Sequence, residues 1–278
     1  MSETPERLPL AERRSEDVPG HWLLARLGKR VLRPGGAGLT RRLLAEAEPA
    51  GAEVVELAPG LGRTAAEIVA ARPASYTGVD ADPDAARIVS GVVAASGGRC
   101  VTAEAAATGL PDGSADVVIG EAMLTMQSDR GKRAIVAEAA RLLRPGGRYG
   151  IHELGLLPDD LPEQQAVELR KSLARGIKVN ARPMTRAEWS ALLRDAGLEV
   201  EWVGTAPMAL LQLRRNLADE GLRGTLRILR NALRDPAARR RVLAMRRMFR
   251  RHRRRLCGIA LLARKPQRSE AGDVAGSG

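Results

Sequence analysis

The sequence predicts an α/β protein built on a doubly wound, mostly parallel sheet of seven strands. Three observations carry this. From about residue 53 to 154, short apolar runs alternate with amphipathic stretches, and that βαβα order demands a parallel sheet with helices on both faces. Proline and glycine punctuate most of the junctions. After residue 154 the pattern changes, and about fifty residues of helical periodicity separate the last two strands.

Each element can be justified in order. "HWLLARLGKRVL" predicts a first helix stopped by Pro34-Gly35-Gly36, and "LTRRLLAEAE" a second with Thr40 near its start. "EVVEL" (53–57) is an apolar strand, and "GRTAAEIVAARP" a helix closed by Pro73. "SYTGVD" (75–80) is strand two; "PDAARIVSGVVAAS" is a helix with Pro83 in its first turn and Gly97-Gly98 beyond its end. "RCVTA" and "ADVVIG" (115–120) are strands three and four. "KRAIVAEAARLL" is a helix ended by Arg144-Pro145-Gly146-Gly147, and "RYGIHEL" is strand five. "TRAEWSALLRDAG" opens on a Thr185-x-x-Glu188 capping box and stops at Gly197. "LEVEWVGT" and "CGIALLARK" are the last two strands. Between them Leu222, Leu226, Leu229 and Leu233 form one apolar stripe. Ala238, Val242, Met245, Phe249 and Leu256 form another, after Asp235-Pro236 as cap and first turn. Arginines take the remaining faces. The pentapeptide "LRPGG" occurs at Leu32 and again at Leu143; its flanks differ, so it reads as one stop chemistry used twice.

The chain of 278 residues fits one domain over 20–265, with 206–256 as a basic helical insert acting as a lid. Residues 1–19 and 266–278 read as a disordered arm and tail. The net charge is +12, yet residues 214–255 alone hold 16 arginines against Asp219, Glu220 and Asp235, so the charge belongs to the insert. Arginine outnumbers lysine 40 to 5, a bias that GC-rich coding also produces. No apolar run is long enough to span a membrane. The acidic first twenty residues do not suit a signal peptide. Cys100 and Cys257, in no metal-like spacing, suit free thiols in a reducing cytoplasm, and three scattered histidines support no local metal site.

Within "VVELAPGLGRTA", the segment "GLGRTA" satisfies the dinucleotide fingerprint G-x-G-x-x-A, and Asp80 follows at about the expected distance. That leaves open a nicotinamide dinucleotide or another nucleotide-like cofactor. Two features favour the second. Two helices precede the motif. Glu56, at the carboxyl end of the first strand, opposes a pyrophosphate but suits a cofactor with a cationic amine or sulfonium, such as S-adenosyl-L-methionine.

The succession "VELAPGLG", "YTGVDADPDAARIV", "TGLPDGSADVVIGEAML" and "EAARLLRPGGRYGIHEL" resembles the class I S-adenosylmethionine-dependent methyltransferases, most closely the small-molecule, type 11 branch. The resemblance covers about residues 20–265 and implies a Rossmann-like sheet with its last strand antiparallel. It further implies that Glu56 and the turn Ala58-Pro59-Gly60-Leu61-Gly62 receive the methionine end. Asp80 would accept hydrogen bonds from the ribose hydroxyls, with Ala81 beside the adenine. Glu104 and the Ala105 N–H would meet the adenine edge, and Glu121 would face cofactor or substrate. Ala58 replaces the usual first glycine, Glu104 the commoner aspartate. No [DN]-P-P-[YF] follows strand four, which argues against a nucleobase-amine acceptor.

His152 and Glu153, near the end of strand five, are candidate catalytic groups; His152 would take a proton from the acceptor. The competing reading is a histidine bonded within the sheet edge. The expected activity is methyl transfer to a small molecule, acidic or lipid-like. The alternatives are an NAD(P)-dependent oxidoreductase, or a non-catalytic domain that binds an anionic membrane or nucleic acid through its arginine-rich helix. Nucleic acid is disfavoured because Phe249 is the insert's one aromatic residue.

Overall fold

The computed structural model describes residues 19–29, 33–208 and 213–267. The arm at 1–18 and the tail from 268 lie outside the described residues. Helices α1 (Gly20–Arg26) and α2 (Ala37–Ala47) come first. The first helix is shorter than its periodicity predicts, since the chain turns at Leu27 into Gly28, whose φ of +95° leaves the helical region.

The alternating elements then follow: β1 (Glu53–Leu57), α3 (Arg63–Ala70), β2 (Ser75–Asp80), α4 (Pro83–Val93), β3 (Arg99–Thr102), β4 (Ala115–Glu121), α5 (Asp129–Leu142) and β5 (Leu143–Leu156). Beyond them lie α6 (Glu163–Ile177), β6 (Met184–Thr185), α7 (Arg186–Asp195), β7 (Glu199–Pro207), α8 (Leu213–Arg234), α9 (Pro236–Arg251) and β8 (Leu256–Arg264). The sheet runs β3-β2-β1-β4-β5-β8-β7. β1 to β5 are parallel, and β8 is antiparallel to both its neighbours. Among the described residues the sheet has an eighth strand beyond the expected seven: β6 is two residues long and pairs with β5, off the main path.

Apolar strand sequences follow from burial on both faces. On one face Ile135, Val136, Trp189 and Leu193 cover the sheet; on the other Leu43, Ile68 and Val89 do so. The Thr185–Glu188 capping box forms as its spacing demands. Helix α6 has no counterpart in the sequence reading. It joins α1, α8 and α9 in a third core, where Leu169, Leu173, Ile228, Met245 and Phe249 pack with Leu154 and Leu156 of β5. That core is a helical cap over the carboxyl ends of the strands.

The stripe Leu222–Leu233 does not face this core. All four leucines are exposed, and Gly224, Thr225 and Ile228 turn inward instead.

Candidate functional site

The carboxyl ends of β1, β2, β4 and β5 open into a cavity of about 310 Å3 beneath the cap. Open parallel sheets leave such a crevice where strand order reverses, here between β1 and β4. Glu56, Ala58, Gly60, Asp80 and Glu121 stand in its wall.

The turn after β1 is tight. Ala58 (φ +53°), Gly60 (φ +58°) and Gly62 (φ +69°) all adopt left-handed backbone. At Gly62 a Cβ would lie 3.1 Å from Val92 Cγ2, so glycine also lets α3 approach α4. The Gly60 N–H donates to Asp80 Oδ2 and the Asp82 N–H to Asp80 Oδ1, each at 3.0 Å. The capping role ahead of Pro83 falls to Asp82, whose carboxylate accepts from the Asp84 and Ala85 N–H groups. Asp80 is therefore free to face the cavity. Burial raises its carboxyl, against the two backbone bonds that pull it down.

Glu56 is 2% exposed, and the Tyr76 hydroxyl donates to it at 2.7 Å. Burial pushes its carboxyl up to about 8; the Tyr76 bond opposes this and the nearby Glu121 charge adds to it. Among the described residues neither Glu56 nor Asp80 has a bonded cation. A wall carrying buried acids with no bonded cation fits a ligand that brings its own positive charge.

Glu121 is differently served. Its Oε2 takes bonds from Arg33 and Thr64, and its Oε1 accepts from the Thr40 hydroxyl at 2.6 Å. Arg33 also binds Glu67 at 3.2 Å. Burial alone would raise the Glu121 carboxyl, but the Arg33 guanidinium and the bonds from His152 and Thr40 outweigh it, holding it well below the usual carboxylate range.

His152 and Glu153 occupy opposite faces of β5, as a period of two requires. His152 is fully buried. Its Nδ1 lies 2.7 Å from Glu121 Oε1, and its Nε2 donates to the Pro34 carbonyl. That carbonyl is pressed against β8, where a Cβ on Gly258 would fall 2.6 Å from it. Both ring nitrogens thus face acceptors of the protein itself, and His152 is absent from the cavity wall. The position corrects the expectation of a proton acceptor facing substrate. Glu153 is equally occupied: Oε1 accepts from the Met123 and Leu124 N–H groups at 3.0 and 2.8 Å. Its Oε2 accepts from the Thr125 N–H at 3.0 Å and hydroxyl at 2.6 Å. Burial raises this carboxyl against those bonds. It pins the loop after β4.

Of the other expected residues, Gly62 shapes the turn from behind, Ala81 and Glu104 lie exposed at the rim, and Ala105 packs on the core. None of these four is in the cavity wall. Sequence reasoning missed Arg33, Thr40 and Thr64 as site residues. Arg33 sits in the first "LRPGG", whose second copy places Arg144 on the half-exposed Asp116 instead.

Comparison with known proteins gives a consistent set of likenesses. A family model described as "Methyltransferase domain" matches residues 54–147. The chain is 32% identical over 224 residues to an uncharacterized protein of Haemophilus influenzae, covering 79% of this chain and 87% of that protein. It is 34% identical over 91 residues to 27-O-demethylrifamycin SV methyltransferase of Amycolatopsis mediterranei, covering 33% of this chain and 32% of that one. Among solved structures, geranyl diphosphate methyltransferase in complex with SAM superposes with a TM-score of 0.59 at 15% identity, over 82% of this chain and 84% of that chain. That last likeness is one of fold.

Proposed function

The chain belongs to the class I S-adenosyl-L-methionine-dependent methyltransferases, and we propose that it methylates an apolar small molecule held between the sheet and the helical cap. S-adenosyl-L-methionine is the cofactor, and the nicotinamide alternative gives way to it. When bound, it supplies a methyl group already activated on a sulfonium.

The residues to hold it are Glu56 and the Ala58–Gly60 turn at the amino-acid end, and Asp80 at the ribose. The two Asp80 oxygens each keep a lone pair beyond the backbone bonds they accept. Ala81, Glu104 and Ala105 would border the adenine on the open rim, and Gly62 would keep the turn narrow. Glu121 stays ionised in its net of donors and faces the reacting end as a fixed negative charge. His152 acts through Glu121 as a positioning residue, and Glu153 by fixing the loop that carries Met123. With both carboxylates of this region already bonded, the chain's contribution is alignment and exclusion of water rather than proton removal.

One observation carries the acceptor class. Much of the remaining wall is apolar, with Met126, Ile177, Val179, Met208 and Phe249 set apart from the acids. Such a surface favours an acceptor with little charge of its own. Two thiols that remain free fit a reducing compartment, and we place the protein in the cytoplasm.

Calorimetric titration with S-adenosylhomocysteine tests the site. Replacing Asp80 with Ala should weaken binding by about 1–3 kcal/mol in a folded protein. Product formation from S-adenosylmethionine with a panel of apolar and of charged acceptors tests the class. Turnover confined to charged acceptors would overturn it.

A further inference from the structure

The second half of α8 shows an inverted polarity. Leu222, Leu226, Leu229 and Leu233 are 66, 56, 46 and 66% exposed. Their spacing of four, three and four places them on one line along the helix. The side that packs inward carries Thr225 and Ile228, 5 and 9% exposed. Beside the leucine line, about a quarter turn away, runs a second line of exposed arginines: Arg223, Arg230 and Arg234. Helix α9 extends the charge with exposed Arg239, Arg240, Arg246 and Arg247, and adds the exposed Leu243. The one acid between Leu222 and Arg255 is Asp235, whose carboxylate caps α9.

The helix is anchored from beneath by two side-chain bonds. The Asn231 side chain donates to the Leu27 carbonyl at 3.2 Å, and Arg227 donates to the Gly28 carbonyl at 3.1 Å. The leucine line therefore points away from the cap while the helix stays docked. A row of leucines in water, edged by cations, has a defined complement: apolar depth below a negatively charged surface.

We propose that the leucine–arginine face of α8 binds an anionic lipid bilayer. The helix lies in the plane of the surface, with the leucines at the acyl boundary and the arginines on lipid phosphates. Among the described residues no helix is long and apolar enough to cross a membrane, so the attachment is peripheral. A second copy of the chain is a poorer occupant, because it meets this cation-edged face with another of the same charge and offers no anion to it. Nucleic acid would engage the arginines but leave the leucines in water. It would also find no exposed stacking ring, since Phe249 is 8% exposed and packs in the cap. The inference stands on this surface alone and does not depend on the identity of the methyl acceptor.

The test is co-sedimentation of the full chain with vesicles of phosphatidylcholine alone, and of phosphatidylcholine mixed with phosphatidylglycerol. The expected result is binding to the mixed vesicles, at least about tenfold stronger than to phosphatidylcholine and weakened by added salt. L222Q/L226Q/L229Q/L233Q keeps helix propensity and should lose at least about tenfold in affinity for the mixed vesicles. R223E/R230E/R234E should lose the preference for phosphatidylglycerol. Unchanged S-adenosylhomocysteine binding shows that both variants remain folded. No sedimentation of the wild type with mixed vesicles overturns the proposal. So does equal binding by the glutamine variant, or a concentration-dependent dimer in sedimentation velocity that this variant abolishes while vesicle binding persists.

Discussion

Glu121 and His152 are register partners across the parallel pair of β4 and β5, and their side chains meet with Nδ1 2.7 Å from Oε1. The same carboxylate binds Arg33, Thr40 and Thr64, so one acid ties the segment before α2, α2 itself, α3 and two strands together. Arg33 is 5% exposed, which makes its counter-charge indispensable.

Replacing Glu121 with Ala should destabilise the fold by about 3–5 kcal/mol, because Arg33 would remain buried without its principal partner. Urea unfolding measures it. The pH dependence has a definite sign. The folded carboxyl lies below its unfolded value, so its contribution is complete above the ordinary carboxylate range and disappears as pH falls through and below it. Glu121→Gln should flatten that acid limb. A variant as acid-sensitive as the wild type would remove Glu121 from this role.

The Glu153 carboxylate accepts four bonds from the loop of Met123 to Thr125. Glu153→Ala leaves three buried backbone N–H groups without a partner, at about 1–3 kcal/mol each where water cannot replace it. Loss of several kcal/mol is expected, with hydrogen exchange rising first at residues 123–125. A stable variant with unchanged exchange there would show that the loop is held by other contacts.

How much of this was legible in the sequence differs by element. The strands and their succession along the chain follow from apolar runs and from the turn chemistry of Gly60 and Gly62, while their order in the sheet needs the fold itself. Helix α6 is hard to read because Ala166, Leu169 and Leu173 are few among charged neighbours; its burial comes from partners distant in sequence. For Leu222–Leu233 the period gave the stripe and the structure its side, since periodicity identifies an amphipathic helix without saying what its apolar line meets. Arg33 and Arg144 sit in identical pentapeptides and differ only in what the fold brings to them. His152 carried two readings, and only the positions of Pro34 and Glu121 separate them.

Glu56 supplies a pH prediction on binding and on stability. Its folded carboxyl titrates at about 8, above an unfolded value of about 4.3, so the fold holds its proton more tightly than the unfolded chain does. Stability should therefore fall as pH rises from about 4.3 to about 8. A cationic amine bound beside Glu56 favours the carboxylate, so affinity for S-adenosylhomocysteine should rise over the same range with release of a proton. Calorimetry in buffers of different ionisation enthalpy reads that proton. Glu56→Gln should abolish both the release and the stability slope. Proton uptake on binding would contradict the placement.

Ala58 holds a left-handed conformation that an L side chain adopts at a cost of about 1–2 kcal/mol. Glycine there would relieve that strain but loosen the unfolded chain, returning about 0.4–1 kcal/mol of it. Ala58→Gly should thus stabilise the protein by about 0.5–1 kcal/mol, raising the unfolding midpoint by about 2 °C. The change also removes a methyl group from the cavity wall, so S-adenosylhomocysteine should bind at least as well. A lowered midpoint would mean that the Ala58 methyl makes packing contacts worth more than the strain. Weaker binding in a stabilised variant would mean that the methyl itself touches the ligand.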